Sequence, residues 1–474
     1  MEHDTIHPGF TSNLSQNLKK QQIIIMILYY NIQNYKSFRD KVEFNMIASS
    51  EGQGTNKTDH IVNGFGVPTL RLSAIYGNNG AGKSTLLESI QKLRMIVVGV
   101  LKVKSKDDLK HFKLDPIYAD KPTVFEIEFI AKSKRYCYHL SILNCVIVEE
   151  WICIVNDGSS VEYLFTREFK DGKTNISMPK YDNDLKERMR IELYSEELQK
   201  RPYTPFLKFG LSQYEELKDP FDWFANTLQV VRPNAHCLDE VKFFTDSHMH
   251  DLAVEMISFL KLDIEDIQVK TVPLEDLMIG SNPDTFEKIK NELDSNEGTV
   301  FMRRGDTEYT LYKDDNGEYL AGRIVTIHKN GVEFELDEES MGTRMIFELI
   351  PGFVGSIVNE KVYLFDEIEC NKHPEVTKEL ILLFLIAGTK SHGQLIFTTH
   401  ECNLLDLDIL RTDEIWFTEK DGDGVSHIYS LSDFKPTYDK DIKKGYLEGR
   451  FTSIPFFTDP KQLNWYGNTE TNKD

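Results

Sequence analysis

Apolar residues change their period several times along the chain, and each change predicts an element. From Ile25 to Ser50 two β-rich stretches flank "NYKSFRD", and "LRLSAIYG" makes a further strand that runs into a glycine-rich turn and an apolar-periodic helix from Lys83. Over 123–170, β-branched and aromatic residues with turn signals predict an antiparallel meander, whereas 184–265 shows helical spacing around Leu185, Met189, Leu193 and Leu198. Asn316-Gly317 and Asn330-Gly331 separate "EYTLYK", "EYLAGRIVTIHK" and "VEFELDEE", the strongest short-range signal for hairpins. The chain then alternates strand "KVYLFDE", helix "PEVTKELILLFLIAG" and strand "GQLIFTTH". These last strands are apolar throughout, as parallel strands covered on both faces are.

That order predicts an α/β fold: a mixed sheet with central parallel strands, plus an antiparallel β-meander and a helical insertion. The expected divisions are a polar leader at 1–25, with Met26 a possible natural start, then an N-terminal half at 26–183. A mainly helical insertion at 184–298 and a C-terminal half at 299–474 follow. No internal repeat and no long heptad run interrupts them.

At 474 residues the chain has room for a large core, either roughly two to three domains or one large domain with an insertion. Lys and Arg total 55 against 76 Asp and Glu, a net charge of −21, so the chain as a whole repels phosphate backbones. Nucleic acid is then left only local contacts, for which Lys132 to Arg135 and the lysines from Lys102 to Lys113 are candidates beside their plainer reading as solvated faces. Six scattered cysteines without a CxxC pair point to free thiols in a reducing compartment, and the cytoplasm fits best. The apolar runs Ile23–Tyr30 and Leu380–Ala387 fall short of the roughly 18 to 20 residues a membrane span needs, and no signal peptide with a cleavage site is visible.

The glycine-rich turn changes this picture from fold to chemistry. Gly77, Gly80, Gly82, Lys83 and Ser84 match G-x-x-x-x-G-K-[ST] between a strand and a helix. Glycines permit positive φ and close approach, so the backbone N–H groups of Asn78, Asn79, Gly80, Ala81, Gly82 and Thr85 can converge on phosphate oxygens at a helix N-terminus. Lys83 adds a point charge for the β- and γ-phosphates, and the Ser84 hydroxyl suits Mg²⁺. A triphosphate site also needs a carboxylate for its metal. "VYLFDEIE" supplies Asp366 at the end of a strand, with Glu367 one residue beyond as general base for the attacking water. The strand ending in "TTH" brings His400 to where it can hydrogen-bond a γ-phosphate.

Together, "NYKSF", "GNNGAGKS", "ESMGTR", "LFDEIECNKHP" and "IFTTHECNLLD" resemble the P-loop ABC-type ATPase heads of the SMC/Rad50/RecF/OLD group. More narrowly they resemble the stand-alone AAA15-type ATPases of prokaryotic antiviral defence operons, from about Ile27 to the end of the chain. The resemblance implies that Ser340, Met341 and Gly342 form a divergent signature loop, 26 residues before Asp366, which binds the γ-phosphate of ATP held by a second copy. It also implies that His373 and Pro374 form the loop after the catalytic Glu367, that His400 is a switch histidine, and that Lys36 and Ser37 reach the phosphates. ATP and Mg²⁺ would be the ligands, a homodimer or higher oligomer the working state, and a separate effector, a nuclease or toxin, the partner.

Ser-Met-Gly-Thr differs from the transporter signature, and no metal-contacting loop glutamine stands out, which sets the chain apart from transporter subunits. The lack of a CxxC hook and long coiled coil sets it apart from tethers. Only 74 residues follow His400, too few for an acidic nuclease domain, so a nuclease is expected on another chain. A DNA-binding repair clamp is the competing expectation. "SHMHD" (His248, His250, Asp251) reads as a helix surface and "DGDG" (Asp421 to Gly424) as a hairpin turn.

Overall fold

The parallel centre is assembled from segments far apart in the chain. In the computed structural model, a six-stranded sheet has the order Leu228–Val231, Val362–Phe365, Gln394–Thr398, Leu72–Gly77, Ile415–Lys420, Ser426–Ser430. The first five run parallel and the last returns antiparallel. The structure describes residues 24–50, 57–64, 66–105, 107–156, 160–231, 240–280, 282–296, 299–304, 307–314, 316–358, 361–369, 374–387, 392–434 and 442–451. Most of the expected leader, residues 1–23, lies outside them.

The three central strands are buried at every position, and their alternation separates two cores. Ile75, Leu364, Ile396 and Trp416 face the helix Lys83–Val98, through Leu86, Leu87, Ile90 and Leu93. Tyr76, Phe365, Leu395 and Phe397 point the other way, into a core with the helices Met341–Val358 and Pro374–Ala387. Each fully buried Leu, Ile or Phe contributes roughly 1.5–3 kcal/mol, which makes these faces the main support of the strand ends. Helix Met341–Val358 is apolar enough to cross a bilayer by length and composition, yet 67% of it is buried inside the molecule.

The expected meander is part of a seven-stranded antiparallel sheet in the order Lys173–Ser177, Val161–Lys170, Val146–Val155, Lys134–Leu143, Thr123–Ala131, Met26–Gln33, Val42–Asn45. Its inner face closes over the helix Lys83–Val98, where Tyr30 donates a hydrogen bond to Ser89 Oγ at 2.9 Å. That helix is therefore clamped between two sheets. A third sheet holds Asp266–Pro273, Tyr319–His328, Thr307–Lys313 and Val300–Arg304, with Val332–Glu335 also pairing to Tyr319–His328. Its last hairpin turns through Asn330 and Gly331, at φ 65 and 70, the left-handed pair the Asn-Gly signal demands.

Segment 184–298 contains the helices Leu185–Lys200, Ser247–Phe259 and Pro283–Asn296. It also contains Leu228–Val231, the edge of the parallel sheet, and Asp266–Pro273. Four residues, LQVV, carry too little periodicity to declare a strand. In helix Leu185–Lys200 the buried positions are Ile191 and Leu198, while Leu185, Met189 and Leu193 are exposed. The basic run at 132–135 forms an exposed turn, with Arg135 half-buried. Lys132 and Ser133 form the tight turn at φ 43 and 64, Lys132 pairs with Asp219 at 2.7 Å, and Arg135 pairs with Glu128.

Candidate nucleotide-binding site

Strand Leu72–Gly77 carries the chain into the turn, and close packing there demands glycine. A Cβ on Gly77 would lie 2.3 Å from Thr418 Oγ1 on the adjoining strand, and Gly82, at φ 125, would place one 2.8 Å from Ser426 Oγ. Around Gly80 (φ 77) the space is open, which leaves a cradle for a ligand. Lys83 begins the helix and folds back, its Nζ donating to Gly77 O at 2.8 Å and Asn78 O at 3.3 Å. Among the described residues no carboxylate lies within ion-pair distance of this ammonium.

The neighbouring strand ends bring the acids to the same place. Asp366 follows strand Val362–Phe365, and its Oδ1 accepts from Ser84 Oγ at 2.9 Å and from Thr398 Oγ1 at 2.7 Å. Glu367 has φ 54, a left-handed backbone that costs a non-glycine residue roughly 1–2 kcal/mol. Its N–H donates to Thr398 Oγ1 at 2.8 Å.

His400 follows strand Gln394–Thr398, with Nε2 2.9 Å from Lys83 Nζ. Its backbone N–H donates to Glu369 Oε1 at 2.5 Å. Burial pushes the Lys83 ammonium down to about 8 despite the charges of Glu369, Glu367 and Asp366. Burial and then the charge on Lys83 hold the His400 imidazole below its ordinary value.

The opposite wall comes from the loop between strands Met26–Gln33 and Val42–Asn45. Asn34 anchors it. Its side-chain amide donates to Tyr118 O and Lys121 O at 2.9 and 2.8 Å and accepts from Phe112 N at 3.0 Å. Lys36, at φ 51, extends its ammonium to Glu88 on the helix Lys83–Val98. Ser37 Oγ is buried without a hydrogen-bond partner.

One cleft of about 340 Å³ is lined by Lys36, Ser37, Asn78, Asn79, Gly80, Gly82, Lys83, Ser84, Thr85, Glu367, His400 and Lys420. Of the residues expected from sequence, Ala81 is buried behind the turn and Asp366 reaches the cleft through Ser84. Ser340, Met341 and Gly342 do not line this cleft within one chain. Ser340 caps the helix Met341–Val358, its Oγ accepting from Thr343 N at 3.1 Å, and Met341 is 49% exposed. His373 lies outside the described residues, and Pro374 is the first residue of the helix Pro374–Ala387.

Sequence reading missed Lys420, Glu88, Glu369 and Thr398. Lys420 ends a strand in register with the P-loop strand, Thr418 opposite Gly77, and only that register points to it. The donor set fits a magnesium nucleotide: an open glycine cradle, a lysine whose hydrogen-bond acceptors among the described residues are neutral, an orphaned serine hydroxyl, and paired hard oxygens at Ser84 and Asp366.

His250 Nε2 sits 2.9 Å from both Asp266 Oδ1 and Ile267 O, tying a helix to a strand. Among the described residues no three His, Cys, Asp or Glu are grouped to hold a metal ion. Asp421 to Gly424 close the hairpin to Ser426–Ser430, with Gly424 N donating to Asp421 O at 3.0 Å.

Among solved structures, the chain is similar to the SMC head domain from Thermotoga maritima at 12% identity and TM-score 0.34, covering 85% of this chain and 98% of that one. It is also similar to an Smc head bound to the C-terminal winged-helix domain of ScpA, at 15% identity and TM-score 0.37, over 85% and 97% of the two chains. An Smc head with an extended coiled coil bound to the C-terminal domain of ScpA, derived from Pyrococcus furiosus, gives 14% and 0.37 over 87% and 98%. No curated protein matches the sequence. The family model for "AAA domain, putative AbiEii toxin, Type IV TA system" matches residues 72–406, from the P-loop strand past the "TTH" strand end. The chain belongs to this AAA family.

Proposed function

We propose that this chain is an ABC-type head that binds and hydrolyses ATP, pairs with a second copy around the nucleotides, and uses that closure to control a separate effector in defence against phage. The observation that supports it best is convergence: Lys83 and Ser84, Asp366 and Glu367, and His400 follow three adjacent parallel strands and meet in one cleft. In this reading the P-loop N–H groups and Lys83 hold the β- and γ-phosphates, with Lys36 and Ser37 closing over them. Ser84 and Asp366 would hold Mg²⁺, which neutralises charge on the β- and γ-oxygens when bound. Glu367 takes a proton from the water whose oxygen bonds to the γ-phosphorus as the bond to the β–γ bridging oxygen breaks. His400 donates a hydrogen bond to the γ-phosphate.

Ser340 and Met341, exposed at a helix start, and the half-buried Gly342 would serve the second copy's cleft. ATP then favours the closed pair because both chains gain contacts to one γ-phosphate, and hydrolysis removes them. Residues 26–183 and 299–474 would form the two halves of the head, with 184–298 inserted between them yet lending its strand Leu228–Val231 to the edge of the parallel sheet. The defence role rests on the toxin–antitoxin description of the family model and on the motif resemblance. The effector, a nuclease or toxin, is a separate protein.

The test is Glu367→Gln. It should bind ATP, fail to release phosphate and accumulate as an ATP-dependent dimer measured by light scattering. Wild-type turnover in that variant would remove Glu367 from the mechanism. Co-purification with a neighbouring-gene product supports effector control, whereas salt-sensitive, ATP-stimulated duplex binding would replace it with a DNA clamp.

A further inference from the structure

Thr398 ends strand Gln394–Thr398 with no exposed surface, beside the cleft but not lining it. Its hydroxyl makes two bonds at once, donating to Asp366 Oδ1 at 2.7 Å and accepting from Glu367 N at 2.8 Å. Its carbonyl accepts from Ile368 N at 3.1 Å. Three consecutive residues beyond strand Val362–Phe365 are therefore fixed by one residue of the adjoining strand.

A hydroxyl has a single proton, and here it goes to the carboxylate, so the lone pairs are left for the Glu367 N–H. That N–H belongs to the residue held at φ 54, and such a conformation persists only where its surroundings over-determine it. The next threonine does a different job. Thr399 Oγ1 accepts from Glu401 N at 2.9 Å, and Thr399 N donates to Ile75 O at 3.0 Å.

We propose that Thr398 is a positioning residue for ATP hydrolysis, holding the Glu367 backbone so that its carboxylate enters the cleft and turning Asp366 Oδ1 toward Ser84. This rests on the reading of Glu367 as the general base. Small displacements of a reacting group are enough to slow a reaction, while a ligand held mainly by the P-loop stays bound.

Thr398→Val keeps the shape and removes the hydroxyl. Its kcat for ATP should fall about 10- to 100-fold with KM within about twofold of wild type. Affinity for ATP in EDTA, where no metal is present, should not change, and Thr398→Ser should restore kcat to within about threefold. The inference is overturned by wild-type kcat in Thr398→Val, by a serine variant as slow as the valine one, or by a metal-free affinity that falls in step with kcat. Should the valine variant fail to fold, Thr398→Ala replaces it in the same comparison with serine. Glu367→Gln is assayed alongside. Normal hydrolysis there sinks the base assignment whatever Thr398 does, and an inactive Glu367→Gln beside a fully active Thr398→Val sinks this inference alone.

Discussion

Lys83 Nζ and His400 Nε2 lie 2.9 Å apart and share one hydrogen bond, joining the P-loop to a strand end more than 300 residues away. An ammonium only donates, so the imidazole nitrogen facing it must accept, which requires neutral His400. Burial and the Lys83 charge both favour that neutral form. Phosphates entering the cleft would compete for the same ammonium and leave His400 free to turn toward them.

The first prediction concerns pH. Lys83 is pushed down to about 8 by burial, so in the free protein it is charged below that value and loses its charge as the pH rises through it. ATP affinity should be level below about pH 7 and fall by up to about tenfold per pH unit above about pH 8. A lysine near its ordinary value of about 10.4 would leave affinity level to about pH 9.5. Titration with a fluorescent nucleotide across that range separates the two.

Removing the charge is the second. Lys83→Ala deletes an ammonium whose other partners are backbone carbonyls and His400. Charge-assisted hydrogen bonds contribute about 1.5–3 kcal/mol, so ATP affinity should drop roughly 10- to 150-fold. Calorimetric titration checks it, and unaltered affinity would mean the phosphates lie elsewhere.

Two glycines of the turn should behave differently. Alanine at Gly82 must hold φ 125 and meet Ser426 Oγ at 2.8 Å and Ser426 Cβ at 3.0 Å, so about 1–3 kcal/mol of stability should be lost. Alanine at Gly80 holds φ 77 in open space and carries only the left-handed penalty of about 1–2 kcal/mol. Urea unfolding of both variants should rank Gly82→Ala as the less stable.

The candidate site was legible from sequence where chemistry demands a particular residue type at fixed spacing. Gly82, Lys83 and Ser84 follow from what a phosphate cradle requires, and Asp366 and His400 from buried apolar strands ending in polar groups. Residues whose roles come from tertiary register stayed hidden. Lys420 lines the cleft because Thr418 pairs with Gly77, and Thr398 acts across two strands joined only by folding. The insertion shows the same limit. Of the stripe Leu185, Met189, Leu193 and Leu198, which marks a helix, only Leu198 is buried, alongside Ile191 from outside the stripe, and Leu228–Val231 is too short for its period to show.

The last prediction tests the antiparallel sheet that clamps the P-loop helix. Glu150 and Arg167 lie on neighbouring strands with fully buried side chains, Arg167 Nη1 donating to Glu150 Oε2 at 3.3 Å. The carboxylate also accepts from Phe206 N and Leu207 N at 2.8 and 3.0 Å and from the Tyr138 hydroxyl at 3.1 Å. Glu150→Ala therefore strands a buried guanidinium and two backbone N–H groups, and should destabilise the protein by about 3–5 kcal/mol. Glu150→Ala combined with Arg167→Met removes both charges and should recover part of that loss, because the uncompensated cation is gone while the N–H groups remain unpaired. Denaturant midpoints of the single and double variants measure it. A double variant less stable than Glu150→Ala alone would show that Arg167 is held by Thr204 O and Pro202 O, at 2.7 and 3.3 Å, independently of its carboxylate.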